Sequence, residues 1–205
     1  MTNIAVSFNK QEFTRGPGNL FVDTALAASL ARAAITTGGL LDAAVHPNAI
    51  HIGGTEKGCK FEAKPIFESD QINEVRGDIN KAIIGWEMTI SGVWRQILNF
   101  ALLQKVTPGS VLAGNAPSDT FSQILFSVSE PVRAMSIILV ARIPSDPTRF
   151  QVFNVYAGTN DQPFTADMDA TKGAGSPFNF KAEPVPERDP NDQFGTFWKQ
   201  KAATV

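Results

Sequence analysis

The sequence predicts a mainly β protein of the α+β kind: an antiparallel β-barrel or sandwich with one flanking amphipathic helix and long loops or arms. Three observations carry that expectation. Apolar residues recur at every second position in several short runs, as half-buried strands require. A nearly unbroken apolar run at residues 134–143 suits a central strand covered on both faces. Residues 93–105 show the clearest apolar stripe at helical spacing. Strands do not alternate with helices, which argues against a doubly wound α/β fold.

Taken in order, residues 1–45 read as an N-terminal arm and residues 46–205 as one β domain with a Pro-rich C-terminal tail. The first 22 residues are polar and mixed, broken at Arg15-Gly16-Pro17-Gly18. A short helix capped by Asp23 or Thr24 would run to Ile35, with Leu26, Leu30 and Ala33 on one face and Gly38-Gly39 ending it. The best-patterned stretch spans residues 50–103. Ile50 and Ile52 flank His51, residues 53–58 make a glycine-rich turn, and Cys59, Phe61 and Ala63 alternate with Lys60, Glu62 and Lys64. A long polar loop is expected at residues 66–83, carrying Glu68, Asp70, Glu74, Arg76 and Asp78. Trp86, Met88 and Ile90 then resume the alternation. The helix follows from Val93, with Trp94, Ile97, Leu98, Ala101 and Leu102 facing the core and Pro108-Gly109 stopping it. Further strands are expected at 121–128, 134–143 and 150–156, then an exposed loop at 157–177. Phe178, Phe180 and Ala182 form a last strand. In the tail, Phe194, Phe197 and Trp198 must dock, either on the same core or on a neighbouring subunit.

Composition narrows the function classes. Hydrophobic residues make up 43% of the 205, enough for a real core, and 15 Phe against one Tyr supply purely apolar volume. With 18 basic and 20 acidic residues the net charge is −2, so a protein that grips nucleic acid by neutralising phosphates is not expected. A single cysteine excludes an intrachain disulfide and a cysteine-based zinc site. No apolar signal region opens the chain and no window is long and apolar enough for a transmembrane helix, so a cytoplasmic site of synthesis and no membrane are expected.

The chemical motifs present are near misses. Residues 53–60 resemble a phosphate-binding loop, but the lysine falls one place late, the hydroxyl is missing, and a strand follows where a helix should begin. Asp167-Met168-Asp169-Ala170-Thr171 resembles the start of a calcium loop, with its glycine displaced to Gly173 and Phe178 where the bidentate acid belongs. A Cys59–His51 dyad requires adjacent strands, yet alternation points the thiol inward and the imidazole outward. No Gly-x-Ser-x-Gly elbow exists. A non-enzymatic protein with no cofactor and no metal is expected.

The order of these segments resembles the major tail tube proteins of long-tailed bacteriophages. The resemblance lies in Ile50-His51-Ile52-Gly53-Gly54-Thr55-Glu56-Lys57-Gly58-Cys59-Lys60-Phe61, in Ile66-Phe67-Glu68-Ser69-Asp70-Gln71, in Gly77-Asp78-Ile79, in Glu87-Met88-Thr89-Ile90-Ser91-Gly92-Val93, and in Pro177-Phe178-Asn179-Phe180-Lys181-Ala182-Glu183-Pro184. Together these cover about half the chain; the first 45 residues do not match. The resemblance implies a structural virion protein whose copies form rings, typically hexameric, stacked into a tube through which the genome leaves the capsid. It implies homo-oligomerisation, contact with other tail proteins, and DNA that passes without specific binding. It places the protein in the virion tail after assembly in the bacterial cytoplasm. Tubes of contractile tails and of secretion systems share that architecture, and a β-barrel module for a small apolar ligand is the alternative from another class. The charged loop residues Asp70, Glu74, Arg76 and Asp78 are the expected subunit interface, ordering on assembly and setting ring register.

Overall fold

The computed structural model describes residues 18–23, 35–52, 55–71, 78–94, 100–112, 123–128, 132, 134–143, 145–165, 175–190 and 192–201. Among these, ten strands and one helix occur: β1 (Gly18–Asp23), β2 (Ala49–His51), β3 (Thr55–Gln71), β4 (Asp78–Trp94), α1 (Phe100–Val106), β5 (Ser110–Leu112), β6 (Ile124–Phe126), β7 (Met135–Ile143), β8 (Asp146–Asn160), β9 (Ser176–Ala182) and β10 (Gly195–Lys199).

The apolar run at β7 forms the middle of the architecture. It has neither Gly nor Pro, and β-branched residues favour the extended backbone. Alternation sends Met135, Ile137 and Leu139 to one face and Ile138 and Val140 to the other, and all five are buried. Antiparallel ladders flank it, with Leu20↔Leu139 and Val22↔Ile137 toward β1 and Leu139↔Phe153 and Val140↔Val152 toward β8. The large sheet runs β2-β1-β7-β8-β9-β4-β3, and β10 also pairs with β8. The edge of β8 is shared along its length: residues 151–155 meet β10 and residues 158–160 meet β9. A second, two-stranded sheet joins β5 to β6.

The main core lies on one face, where Leu20, Val22, Ile137, Leu139 and Val155 meet Ile90, Phe178 and Phe180 from the far strands, and α1 adds Leu102, Leu103 and Val106. Burying each such side chain is worth roughly 1.5–3 kcal/mol, an upper figure because unfolded chains already bury part of it. The other face holds a smaller core of Phe21, Ile138, Val140, Phe150 and Val152, covered by Ile35, Leu41 and Trp198. The arrangement is sandwich-like. A closed barrel is not formed: the Trp94 indole donates to the Ile52 carbonyl at 2.9 Å, yet no ladder joins β2 to β3.

Several expectations are corrected. Residues 18–23 are an inner strand rather than the end of an arm, because Leu20, Phe21 and Val22 are apolar enough to sit between two neighbours; the helix expected up to Ile35 falls largely outside the described residues. Val93 and Trp94 belong to β4, and the described helix is only Phe100–Val106. Positions 90, 94, 98 and 102 are four apart, a spacing that fits one face of a strand and one face of a helix equally. The expected hairpin between Ile50-His51-Ile52 and Cys59 does not exist: β2 pairs with β1, and β3 pairs with β4. Gly58, at φ +83°, lies inside β3 where the register shifts between Glu56 and Cys59, so it accommodates a bulge. Most of the expected 66–83 loop is ladder, and the expected 157–177 loop gives up Ala157–Asn160 to β8 and Ser176-Pro177 to β9. The strand expected at 121–128 is confined to Ile124–Phe126 among the described residues. Two aromatics of the tail dock on this chain's own core, Phe194 on the main cluster and Trp198 on the smaller one, while Phe197 stacks on Phe153 and stays more than half exposed.

Candidate assembly surface

The β3–β4 hairpin divides into two parts. Near its open end, β4 is flanked on both sides: Thr89–Trp94 pairs with β3 and also with Lys181 through Ser176 of β9. Ile90 and Trp94 are buried there. Aromatic contacts fasten this base, with Phe61 at 4.6 Å from Phe153 and Phe153 stacked on Phe197 at 4.5 Å between centroids. Lys181 also reaches Glu87 at 3.5 Å.

Beyond Thr89, no strand among the described residues pairs with the second edge of β4. The ladder nevertheless continues through Ala63↔Met88, Pro65↔Trp86 and Phe67↔Ile83 to Gln71↔Asp78. At about 3.3 Å per residue the free part forms an arm roughly 35 Å long. Its backbone is satisfied only toward its own partner strand, which leaves open edges. Its apolar side chains are not covered: Ile84 is 60% exposed, Phe67 56% and Ile83 55%, with Ile66 and Trp86 also exposed. Isolated exposed apolar residues are ordinary, whereas here five fall on one hairpin, with Phe67 directly across the ladder from Ile83. Exposed Lys60 and Glu62 form an ion pair, and the Lys60 hydrogen bond draws the Glu62 carboxyl below its usual range.

Of the predicted interface residues, Asp70 and Asp78 are strand residues near the end of this arm, in the pairs Asp70↔Asn80 and Gln71↔Asp78. Glu74 and Arg76 lie outside the described residues. Charge points to the hairpin's end, whereas the exposed apolar Phe67 and Ile83 lie inside the expected polar loop 66–83 and Ile84 borders it. A signal was present in the two apolar pairs, Ile66-Phe67 and Ile83-Ile84, placed almost symmetrically about Glu74.

A second apolar surface surrounds the small sheet. The chain leaves α1 through Gly109, whose φ of +70° and tight approach to the Ser127 carbonyl, 2.6 Å from where a Cβ would sit, require glycine. Phe126, Leu125, Val128 and Val132 are exposed here. Between this ribbon and the turn after β8 lies a groove of about 680 Å³, walled by Pro108, Phe126, Val132, Pro163 and Phe164. Half of its lining is polar, with Thr107, Thr159, Asn160, Asp161 and Gln162, and Asn160 and Asp161 are engaged within the chain. Asn160 donates to the Val106 carbonyl and accepts from the backbone N–H groups of Gln162 and Asn179, while Asp161 accepts from the Asn179 amide at 3.0 and 3.1 Å.

A third cluster secures the tail. Tyr156 donates to Asp192 at 2.6 Å, Arg188 bridges to the same carboxylate at 2.5 Å, and the guanidinium lies 3.8 Å above the Tyr156 ring. Burial opposes ionisation of Asp192, but hydrogen bonds from Arg188 and Tyr156 outweigh it and hold the carboxyl below its usual range. Burial and the bond to Asp192 push the Tyr156 hydroxyl up. This geometry is that of a clamp that closes the 184–194 turn against β8.

The near-miss chemistry has no constellation around it. Burial raises the Cys59 thiol, against a weak hydrogen bond to Thr55 at 3.9 Å, so the thiolate is disfavoured. His51 rests on Phe21 at 5.0 Å, on a strand at the opposite end of the sheet order from Cys59. His46, on the turn before β2, is buried 3.8 Å from Asp23. The calcium-like stretch 167–171 lies outside the described residues, and among those described no three His, Cys, Asp or Glu residues gather as metal ligands. No described helix is long and apolar enough to cross a membrane. Compared with known proteins, the chain matches no protein-family profile and no curated sequence.

Proposed function

We propose that this protein is a structural subunit whose copies assemble into stacked rings, typically of six, forming the tail tube of a long-tailed bacteriophage. The observation that carries the reading is the arm: a hairpin that leaves the sheet after Thr89 and presents Phe67, Ile83 and Ile84 to solvent. Such a feature gains stability only by contact with another surface. Two further features support it. β2 and β3 end the large sheet with open edges, which neighbouring copies would satisfy by edge-to-edge pairing. The net charge of −2 suits a conduit for DNA, since phosphates meet little cationic surface to hold them.

In this role the protein is not an enzyme and needs no cofactor. Its partners are copies of itself and other tail proteins, and it resides in the virion after assembly in the bacterial cytoplasm. Asp70 and Asp78, with Glu74 and Arg76 between them in the sequence, are charged residues whose attraction and repulsion on a neighbour would favour one register over others. Contractile-tail and secretion tubes are served by the same arm logic. Sedimentation velocity and electron microscopy of purified protein test the proposal: rings or tubes are expected, and a chain that stays monomeric at high concentration contradicts it. Replacing Asp70, Glu74, Arg76 and Asp78 by Ala should weaken ring formation while the monomer still folds; undiminished tubes would remove these four from the interface.

A further inference from the structure

We propose that Pro65 bars strand addition along the outer edge of β3, so that a neighbouring strand can join this edge only beyond it, at residues 67–71. The inference goes beyond the assembly reading, since it holds for a strand from any source. For copies of this chain it narrows where on β3 they can pair, and there it rests on that reading.

The direction of each backbone group follows from β9. Asn179 turns both of its groups away from β4: its N–H donates to the Asn160 side chain at 2.9 Å, and its carbonyl accepts from the Asp161 N–H at 3.2 Å. In an antiparallel ladder a residue turns both groups to the same neighbour, and successive residues alternate. Ser91, opposite Asn179, therefore turns its groups to Lys60 of β3. Pro177, opposite Val93, has no N–H to exchange, which repeats the alternation two residues on. No register shift occurs between Cys59 and Ile66, so Lys60, Glu62 and Lys64 bond to β4 while Cys59, Phe61, Ala63 and Pro65 face outward. The residue without an N–H thus stands where the existing sheet loses no bond and an added strand does.

Other features close the same edge. Register shifts between Glu56 and Cys59 and between Ile66 and Phe67 bound the straight stretch, and bulges bend a strand away from a flat neighbour. Lys60, Glu62 and Lys64 are exposed and share one face, so a parallel copy in register would set like charges opposite one another. Only Cys59, Phe61 and Ala63 remain as outward donors before the proline.

Hydrogen exchange of the full chain checks the alternation first. Protection relative to the intrinsic rates should be higher at Glu62 and Lys64 than at Ala63; equal values overturn the inference. The second measurement compares Pro65→Val with Ala63→Val. Both place a valine in the outward set, but only the first adds a donor. Circular dichroism confirms folding, and Pro65→Ala takes the place of Pro65→Val should that variant not fold. Pro65→Val should associate into β-sheet species, read by light scattering and dye binding, at a concentration about tenfold lower than the unaltered protein, with Ala63→Val within about threefold of it. Two variants that associate alike overturn the inference. So does assembled unaltered protein in which the Ala63 amide becomes protected, a result that leaves the assembly reading intact. If the unaltered protein stays monomeric, the assembly reading falls, and the comparison of the two variants still decides this inference.

Discussion

The two halves of the β3–β4 hairpin share one ladder and one alternation, yet they live in different environments. At the base, Ile90 and Trp94 are at most 2% exposed, packed under β1, β7 and β9. On the arm, Phe67, Ile83 and Ile84 have no such cover. Cross-strand pairs contribute only a few tenths to about 1 kcal/mol each, so the arm's geometry is held by its root and by many weak pairs. The base is therefore a stability element, whereas the arm adds little to the core. What separates them is the reach of β9, whose ladder with β4 stops at Thr89↔Lys181.

Ile90→Ala removes a fully buried side chain and should cost about 2–5 kcal/mol by chemical denaturation, whereas Ile84→Ala on the arm should change stability by less than about 0.5 kcal/mol. Equal losses at both positions would abolish the distinction. Trp94→Phe removes the donor to the Ile52 carbonyl and also leaves space where the larger indole packed; a loss of about 1–3 kcal/mol is expected, measured the same way. Gly58→Ala has open space around its Cβ, so only the positive φ opposes it, and about 1 kcal/mol should be lost. An unchanged melting curve there would mean that the bulge is not required at the base of the hairpin. The smallest effect concerns the tail clamp. The folded-state pKa of Asp192 is depressed, so its stabilising contribution is present above the ordinary carboxylate range and is lost as pH falls through the folded value. Protection factors at β10, taken relative to the intrinsic exchange rate at each pH, should therefore fall in acid, while Asp192→Asn should show the lower protection already at neutral pH and a flatter pH response.

Much of the fold was legible because alternation reports a buried face directly. The run at β7 and the Phe178, Phe180, Ala182 triplet of β9 bury as their patterns predicted. Partner choice was not legible. The period of two says which residues share a face, but not which strand lies alongside, and Ile50-His51-Ile52 was assigned to Cys59 when its neighbour is β1. The arm was obscured for a related reason. Polar residues over 68–78 resemble a loop by composition, whereas the ladder from Glu68↔Ala82 to Gln71↔Asp78 is a backbone pairing that needs no apolar alternation. The groove could not be read at all, since its walls come from segments far apart in the chain.

By itself the sequence determined the mainly β class, the double-faced central strand, the lack of a disulfide and the near-neutral charge, all of which follow from residue type and local period. The tertiary structure alone decided that β1 enters the sheet, that β4 runs on to Trp94, that the tail returns to β8, and that the hairpin outruns its neighbours. Those outcomes depend on long-range pairing, where several partners satisfy the same local pattern and the one that buries the most surface wins.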